Sequence, residues 1–229
     1  MIEREPLFSL LHATARIPWG WKKAHDEWMA SADDPTTIEY LLAIDAAEVP
    51  NLPVDFGAPW VENGGTEGID IIHAPVYGSA PVWNCAAKHA TGKILITIAD
   101  DWQPCPHWDT EIKKVIPDLN GEYVVEVSCG GEADVRRLMV FSIITKARYN
   151  RYGYIFHPDY LGLYADDDFT AMARRDNVVI DARHLMLPHM HFTAGLSPID
   201  PIYQRQNSNA SIMLGQQIYA KRKREGFPS

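Results

Sequence analysis

The sequence predicts an α/β fold: a mixed, mostly parallel central sheet flanked by helices. Three observations lead there. Apolar runs of strand length alternate with segments of helical periodicity from residue 7 to about residue 117. Two of the strands stop on acids, Asp45 and the adjacent pair Asp100 and Asp101, and sheets of this kind bind ligands beyond the carboxyl ends of their strands. The 229 residues, 46% of them hydrophobic and 22% charged, suit one soluble domain with a sizeable core.

The elements follow in chain order. "LFSLLHAT" (Leu7 to Thr14) is a short apolar run and reads as a buried strand. "WGWKKAHDEWMASA" puts Trp21, Ala24, Trp28 and Met29 at helical spacing, with Pro18 near its start. "TIEYLLAID" (Thr37 to Asp45) is a second strand. A polar loop rich in Gly and Pro is expected over residues 46 to 68, and "GIDIIHAP" follows as a third strand. "APVWNCAAKHAT" is a helix that Gly92 is expected to close. "KILITIADD" is a fourth strand ending on the two acids, and "PHWDTEIKKVI" is a helix. The second half is less regular. "EYVVEVSC" reads as a strand, "RLMVFSIITKARYNRYG" as a strand or a helix, and "DDDFTAMARRD" as a helix opened by acids, which a helix N-terminus favours. "NVVIDARHLMLPHMHF" is a strand running into a histidine-containing loop. The tail from Asn209 is an amphipathic helix ending in Lys221, Arg222, Lys223 and Arg224.

Bulk properties exclude several functions. A net charge of −9 argues against a protein that coats nucleic acid, which needs a basic face. No apolar run reaches membrane-spanning length, and acids stand where a secretory signal carries basic residues. Three cysteines, Cys85, Cys105 and Cys129, form no CxxC pair, so neither a disulfide framework nor a cysteine zinc site is indicated. A cytoplasmic location is expected.

The acids carry the chemistry. Two carboxylates at a strand end repel each other and lose water; a hard divalent cation, Mn²⁺ or Mg²⁺, relieves both costs. A solvated turn with a capping Asp is the plainer reading of Asp100 and Asp101, and Asp45 at the end of a sister strand weighs against it. In "YADDDF" three acids open a helix where one suffices for capping, so a surplus carboxylate is available as a general base. His189 and His191 in "LPHMHF" alternate onto one side of an extended segment as metal ligands or as packed loop histidines. Arg16 and Lys88 are placed to neutralise a diphosphate or are ordinary surface charges.

Together these segments resemble a glycosyltransferase of the GT-A fold, similar to family 2. In that family a strand-end Asp meets the nucleotide base and a later strand ends in a DXD-type metal motif, preceded by a helix with an "RN" signature. Asp45 matches the first, and "VWNCAAKHATGKILITIADD" matches the rest, with Asn84 kept and Trp83 in place of Arg. The motif here is "ADD", which leaves open which acid binds metal, Asp101 being favoured over Asp100. The family's "ED" signature, which carries the base of inverting members, is similar to "YADDDF", putting Asp166 at the base position with Asp168 as second acid. The resemblance implies a metal-dependent transfer from a nucleotide sugar, a UDP-sugar first, to an acceptor hydroxyl. It implies Thr14, Arg16, Asp45, Asn84, Lys88 and Asp100 at the nucleotide; Asp101, Asp100, His189 and His191 at the metal; and Asp167 toward the acceptor. Trp102 and Trp108 flank the metal motif and either stack on the sugar or acceptor or pack in the core. One domain is expected over 1–229: a nucleotide-binding half (1–117), an acceptor and catalytic half (118–195) and a helical tail (196–229). "SLLHATAR" and "YAKRKREGF" are also similar to compact phage and metagenome members. An expected acceptor on that likeness is a hydroxymethylated pyrimidine in DNA, with Lys221 to Arg224 on phosphates. The rivals are a nucleotidylyltransferase, whose glycine run after the first strand is missing here; a metal-dependent hydrolase built on His189 and His191, with His12 and His73 as further ligands; and a non-enzymatic sugar- or nucleotide-binding protein.

Overall fold

A computed structural model describes residues 5–15, 20–45, 69–190 and 201–228. Strand β1 (Phe8–Thr14) leads into helix α1 (Gly20–Ala30), and β2 (Ile38–Asp45) and β3 (Ile69–Ala74) follow. Helix α2 (Ser79–His89) crosses to β4 (Ile94–Ile98), and α3 (Trp108–Val115) to β5 (Val124–Ser128). Then come α4 (Gly131–Arg136), β6 (Ile143–Thr145), α5 (Lys146–Tyr152), α6 (Ala165–Arg175), β7 (Val179–Met186), α7 (Pro201–Gln206) and α8 (Asn209–Arg224).

The seven strands form one sheet in the order β3-β2-β1-β4-β6-β5-β7. β1 pairs parallel with both β2 and β4, in a register that sets Leu10 between Tyr40 and Ile96. β6 pairs antiparallel with β4 and β5, and β5 pairs parallel with β7. Among the described strands β6 alone is therefore reversed. β4 is buried at every position and β1 at all but Ala13, as continuous apolar strands are when helices cover both sheet faces. Near the strand carboxyl ends three tryptophans lock α1 and α3 to the sheet. Trp28 and Trp108 meet edge-to-face at 5.2 Å. Trp28 Nε1 donates to the Trp102 carbonyl at 3.0 Å, and Trp108 Nε1 to the Trp28 carbonyl at 2.9 Å. The buried indole N–H groups of Trp28 and Trp108 are thereby satisfied.

The sequence-based expectations hold for the alternating half and need correction at two points. The ambiguous stretch 137–153 is both a strand and a helix: β6 passes into α5 at Thr145, whose side chain accepts from the Arg148 amide as N-cap. Gly92 does not close α2 through a left-handed residue; Ala90 caps that helix in an extended conformation. Gly92 is needed for space, because a Cβ there would lie 2.6 Å from Ser9 Oγ and 2.8 Å from the Phe8 carbonyl carbon. The expected loop at 46–68 lies outside the described residues.

Because those contacts are mostly backbone of β1, Gly92→Ala must displace that strand. The expected loss is about 1–3 kcal/mol of stability, read from urea unfolding. An unchanged midpoint with an unchanged slope would show that β1 yields at no cost.

Candidate active site

The carboxyl ends of β1, β2 and β4 open into a cleft of about 1070 Å³, mouth included. Its walls come from the β1 end, Asp45, the first turn of α2, the turn after β4, the start of α6, His189 and α7. A cleft at this place is what parallel sheets of alternating connection provide.

Asp45 is the last residue of β2 and is buried at the cleft wall. Its Oδ2 accepts from the Gly78 amide at 2.9 Å, which ties the β2 end to the N-terminus of α2. Thr14, the last residue of β1, also lines the cleft.

After β4 the chain turns sharply, with the Trp102 amide donating to the Ala99 carbonyl at 3.2 Å. The two acids occupy the corners and point in different directions. Asp100 turns toward β1, where it accepts from His12 Nε2 and from Thr14 Oγ1, both at 2.9 Å. Asp101 lines the cleft. Residues 101–103 run antiparallel beside 188–190: Met190 donates to the Asp101 carbonyl at 2.8 Å and Gln103 to the Pro188 carbonyl at 3.0 Å. That pairing brings His189 Nε2 to 3.3 Å from Asp101 Oδ2, and the Tyr203 hydroxyl of α7 hydrogen-bonds the same carboxylate oxygen. A carboxylate oxygen and an imidazole nitrogen converging in a cleft are a donor set that suits Mn²⁺, with room for phosphate oxygens to complete it. Among the described residues no three His, Cys, Asp or Glu side chains gather as a cation site. His191 and Arg16 lie outside the described residues, as does the His73 side chain.

The three acids opening α6 take three separate tasks. Asp166 lines the cleft, and its Oδ1 accepts from the Asp167 amide at 3.0 Å. Burial, reinforced by the neighbouring Asp167 charge, raises its carboxyl to about 6. Asp167 pairs with Arg136 and is also raised, chiefly by burial. Asp168 is 1% exposed and faces away from the cleft, toward α8. It accepts from Arg222 Nε at 2.6 Å and Nη2 at 3.3 Å, and from the Tyr160 hydroxyl at 3.1 Å. The expected second catalytic acid is thus the buried anchor of the C-terminal helix. Arg222, read from the sequence as part of a basic tail that is solvated or touches phosphates, is its 3%-exposed counter-ion.

Three further expectations are corrected. Asn84 has its amide consumed by the segment after α5: Oδ1 accepts from the Ile155 and Phe156 amides, and Nδ2 donates to the Phe156 carbonyl. It fixes a cleft wall and is not itself among the lining residues. Lys88 is exposed in the last turn of α2, at the end away from the cleft. Trp108 is wholly buried against Phe8 and Trp28 and has no face for a sugar. Trp102 does reach the cleft, in a stack with Trp83 and Phe156. Trp83, the departure from the "RN" signature, fills the wall and donates from Nε1 to the Ile98 carbonyl at 2.9 Å. Sequence reasoning missed Tyr203, Gln206 and Phe156 as lining residues. The first two sit on or beside a helix of six residues, too short to show periodicity, and Phe156 stands in an irregular segment.

Neither a protein-family model nor a curated protein matches the sequence. Solved structures do match. One is the mannosyltransferase PcManGT of Pyrobaculum calidifontis in complex with GDP-mannose and Mn²⁺, with 14% identity and a TM-score of 0.59 over 96% of this chain and 76% of that one. Residues 1–349 of TarS from S. aureus match with 16% identity and a TM-score of 0.58, over 96% of this chain and 70% of that one. The same TarS fragment in complex with UDP-GlcNAc matches at 14% identity and 0.58, over 93% and 70%. At such identities the likeness establishes the fold: this chain has the GT-A fold.

The Asp168–Arg222 pair yields a prediction. Asp168→Ala strands a guanidinium in the interior and should cost about 3–5 kcal/mol of stability, measured by urea unfolding. Lost turnover at unchanged stability would return Asp168 to the catalytic residues.

Proposed function

We propose that the protein is a nucleotide-sugar-dependent glycosyltransferase that transfers its sugar to an acceptor hydroxyl with inversion, using Asp166 as general base. The observation that carries this reading is the convergence of Asp45, Asp101, His189 and Asp166 on one cleft at the strand carboxyl ends of a GT-A fold. The neighbours of known structure are described with GDP-mannose, UDP and UDP-GlcNAc, which favours a nucleoside diphosphate sugar as donor.

The nucleotide's base lies toward Asp45 and its diphosphate toward Asp101. Three carboxylates among the described lining residues face that space, so a diphosphate entering it needs compensating positive charge. Asp101 and His189 would hold a divalent cation, Mn²⁺ by the mixed oxygen and nitrogen donors, with Arg16 as a further expected counter-charge. Bound there, the cation would stabilise the charge that develops on the departing nucleoside diphosphate. Trp102 and Phe156 give the sugar an apolar, water-excluding wall. Asp166 accepts the acceptor's proton as its oxygen attacks the anomeric carbon from the face opposite the leaving group. A carboxylate raised to about 6 is ionised at neutral pH yet more basic than an exposed one, which suits that role. The hydrolase alternative finds less support, since His12 is spent in a buried network away from His189.

Asp166 ties activity and stability to pH in opposite senses. The base must be ionised, so kcat/KM should fall about tenfold per unit below pH 6 and level off above it. The folded value lies above the unfolded value of about 3.9, so the native protein binds the proton more tightly between about pH 4 and 6. Stability is therefore lost as pH rises through that window. Asp166→Asn should lower turnover by roughly 10²–10⁴-fold while raising stability at pH 7 by on the order of 2 kcal/mol. Retained turnover, or a profile without a limb near pH 6, would remove Asp166 from the mechanism.

A further inference from the structure

The group that the proposed mechanism leaves unused is a buried chain of titratable side chains beneath the ADD turn. His12 is 0% exposed in the middle of β1. Its Nδ1 meets the Tyr40 hydroxyl on β2, and its Nε2 meets Asp100 Oδ1. The other Asp100 oxygen accepts from Thr14 Oγ1. A carboxylate accepts only, so His12 presents Nε2–H to Asp100, while its Nδ1 pairs with the Tyr40 hydroxyl, which burial keeps protonated. Tyr40 is itself fixed by the edge of the His25 ring at 4.7 Å, so the chain reaches from α1 through β2 and β1 to the turn.

The turn is held at its other end as well. Trp102 pairs with His189 and gives its carbonyl to Trp28. Asp101 is the corner residue between these two fixed points, and two fixed neighbours leave its backbone little freedom.

We infer that Asp100 is a positioning residue: His12 and Thr14 hold its carboxylate to β1, and this aims Asp101 at the cation site opposite His189. The inference rests on the proposed function only in taking Asp101 as the metal-bearing acid. It removes Asp100 from the metal ligands and gives the adjacent acids different tasks. Outer-shell groups of this kind alter metal affinity about 10- to 100-fold when removed.

The test compares His12→Asn with His12→Gln. Asn reproduces the Nδ1 side of the imidazole and loses the donor to Asp100; Gln reaches to the Nε2 position and keeps that donor. Mn²⁺ binding is read on the protein alone from the electron paramagnetic resonance of free Mn²⁺. UDP binding in EDTA and the unfolding midpoint are measured alongside. The expected result is about a tenfold or larger rise in the Mn²⁺ dissociation constant for His12→Asn and recovery in His12→Gln, with UDP affinity in EDTA unchanged. Thr14→Val, which removes the other donor and leaves the histidine in place, should show a smaller rise, and it serves if His12→Asn does not fold. Wild-type Mn²⁺ affinity in both folded variants would overturn the inference and leave the metal reading standing. No Mn²⁺ binding by the wild type would overturn both, and UDP binding in EDTA then reports separately on the nucleotide reading.

Discussion

Two acids side by side at the end of a buried strand are the constraint around which the rest of the site is arranged. Left in one environment they would repel each other and lose hydration together. The turn from Ala99 to Trp102 separates them. Asp100 is drawn back onto β1 by two hydrogen bonds, and Asp101 is left at the cleft beside His189. The separation requires an apolar parallel sheet with β1 beside β4, because only that adjacency brings His12 and Thr14 beneath the turn. It also requires the segment after β7 to return along residues 101–103, since His189 arrives by that backbone pairing.

The same division of labour recurs at the start of α6. Successive helical residues point about 100° apart, so three consecutive acids address three surroundings. Asp166 meets the cleft, Asp167 meets Arg136, and Asp168 meets Arg222 in the interior. The buried pair tethers α8 and so fixes the helix whose first turn the cleft demands. A run that reads as one acidic cluster is thereby a cleft-lining carboxylate, an ion pair with Arg136 and an internal anchor. Burial raises the proton affinity of both Asp166 and Asp167, and on Asp167 the Arg136 ion pair opposes it.

The alternating first half of the fold was legible because its strands are continuous apolar runs and its helices repeat every three to four residues. Trp21, Ala24 and Trp28 face the core as their spacing demands. That Asp45 and Asp101 line the cleft was legible from position alone, since strand carboxyl ends gather in one place in such sheets. Which way each side chain turns was not. Whether Asp100 or Asp101 faces the cleft depends on His12, 88 residues away in sequence. Asn84 and Trp108 carried the right residue types in the right segments, yet tertiary partners consume the amide of one and the whole surface of the other. Arg222 stands in a run of four basic residues, and only the packing of α8 on α6 distinguishes it from its neighbours. Gly92 is similar: the residue type was informative, but the reason is crowding against β1 rather than a helix end.

The central claim is that Asp101 and His189 form one half of a cation site whose other half is a donor diphosphate. Calorimetric titration of UDP at several fixed Mn²⁺ concentrations, and of Mn²⁺ at several UDP concentrations, tests it most directly. The account predicts that each ligand tightens the other by the same factor, as linkage between two halves of one site requires. Affinities for UDP and Mn²⁺ that are independent of one another would contradict it.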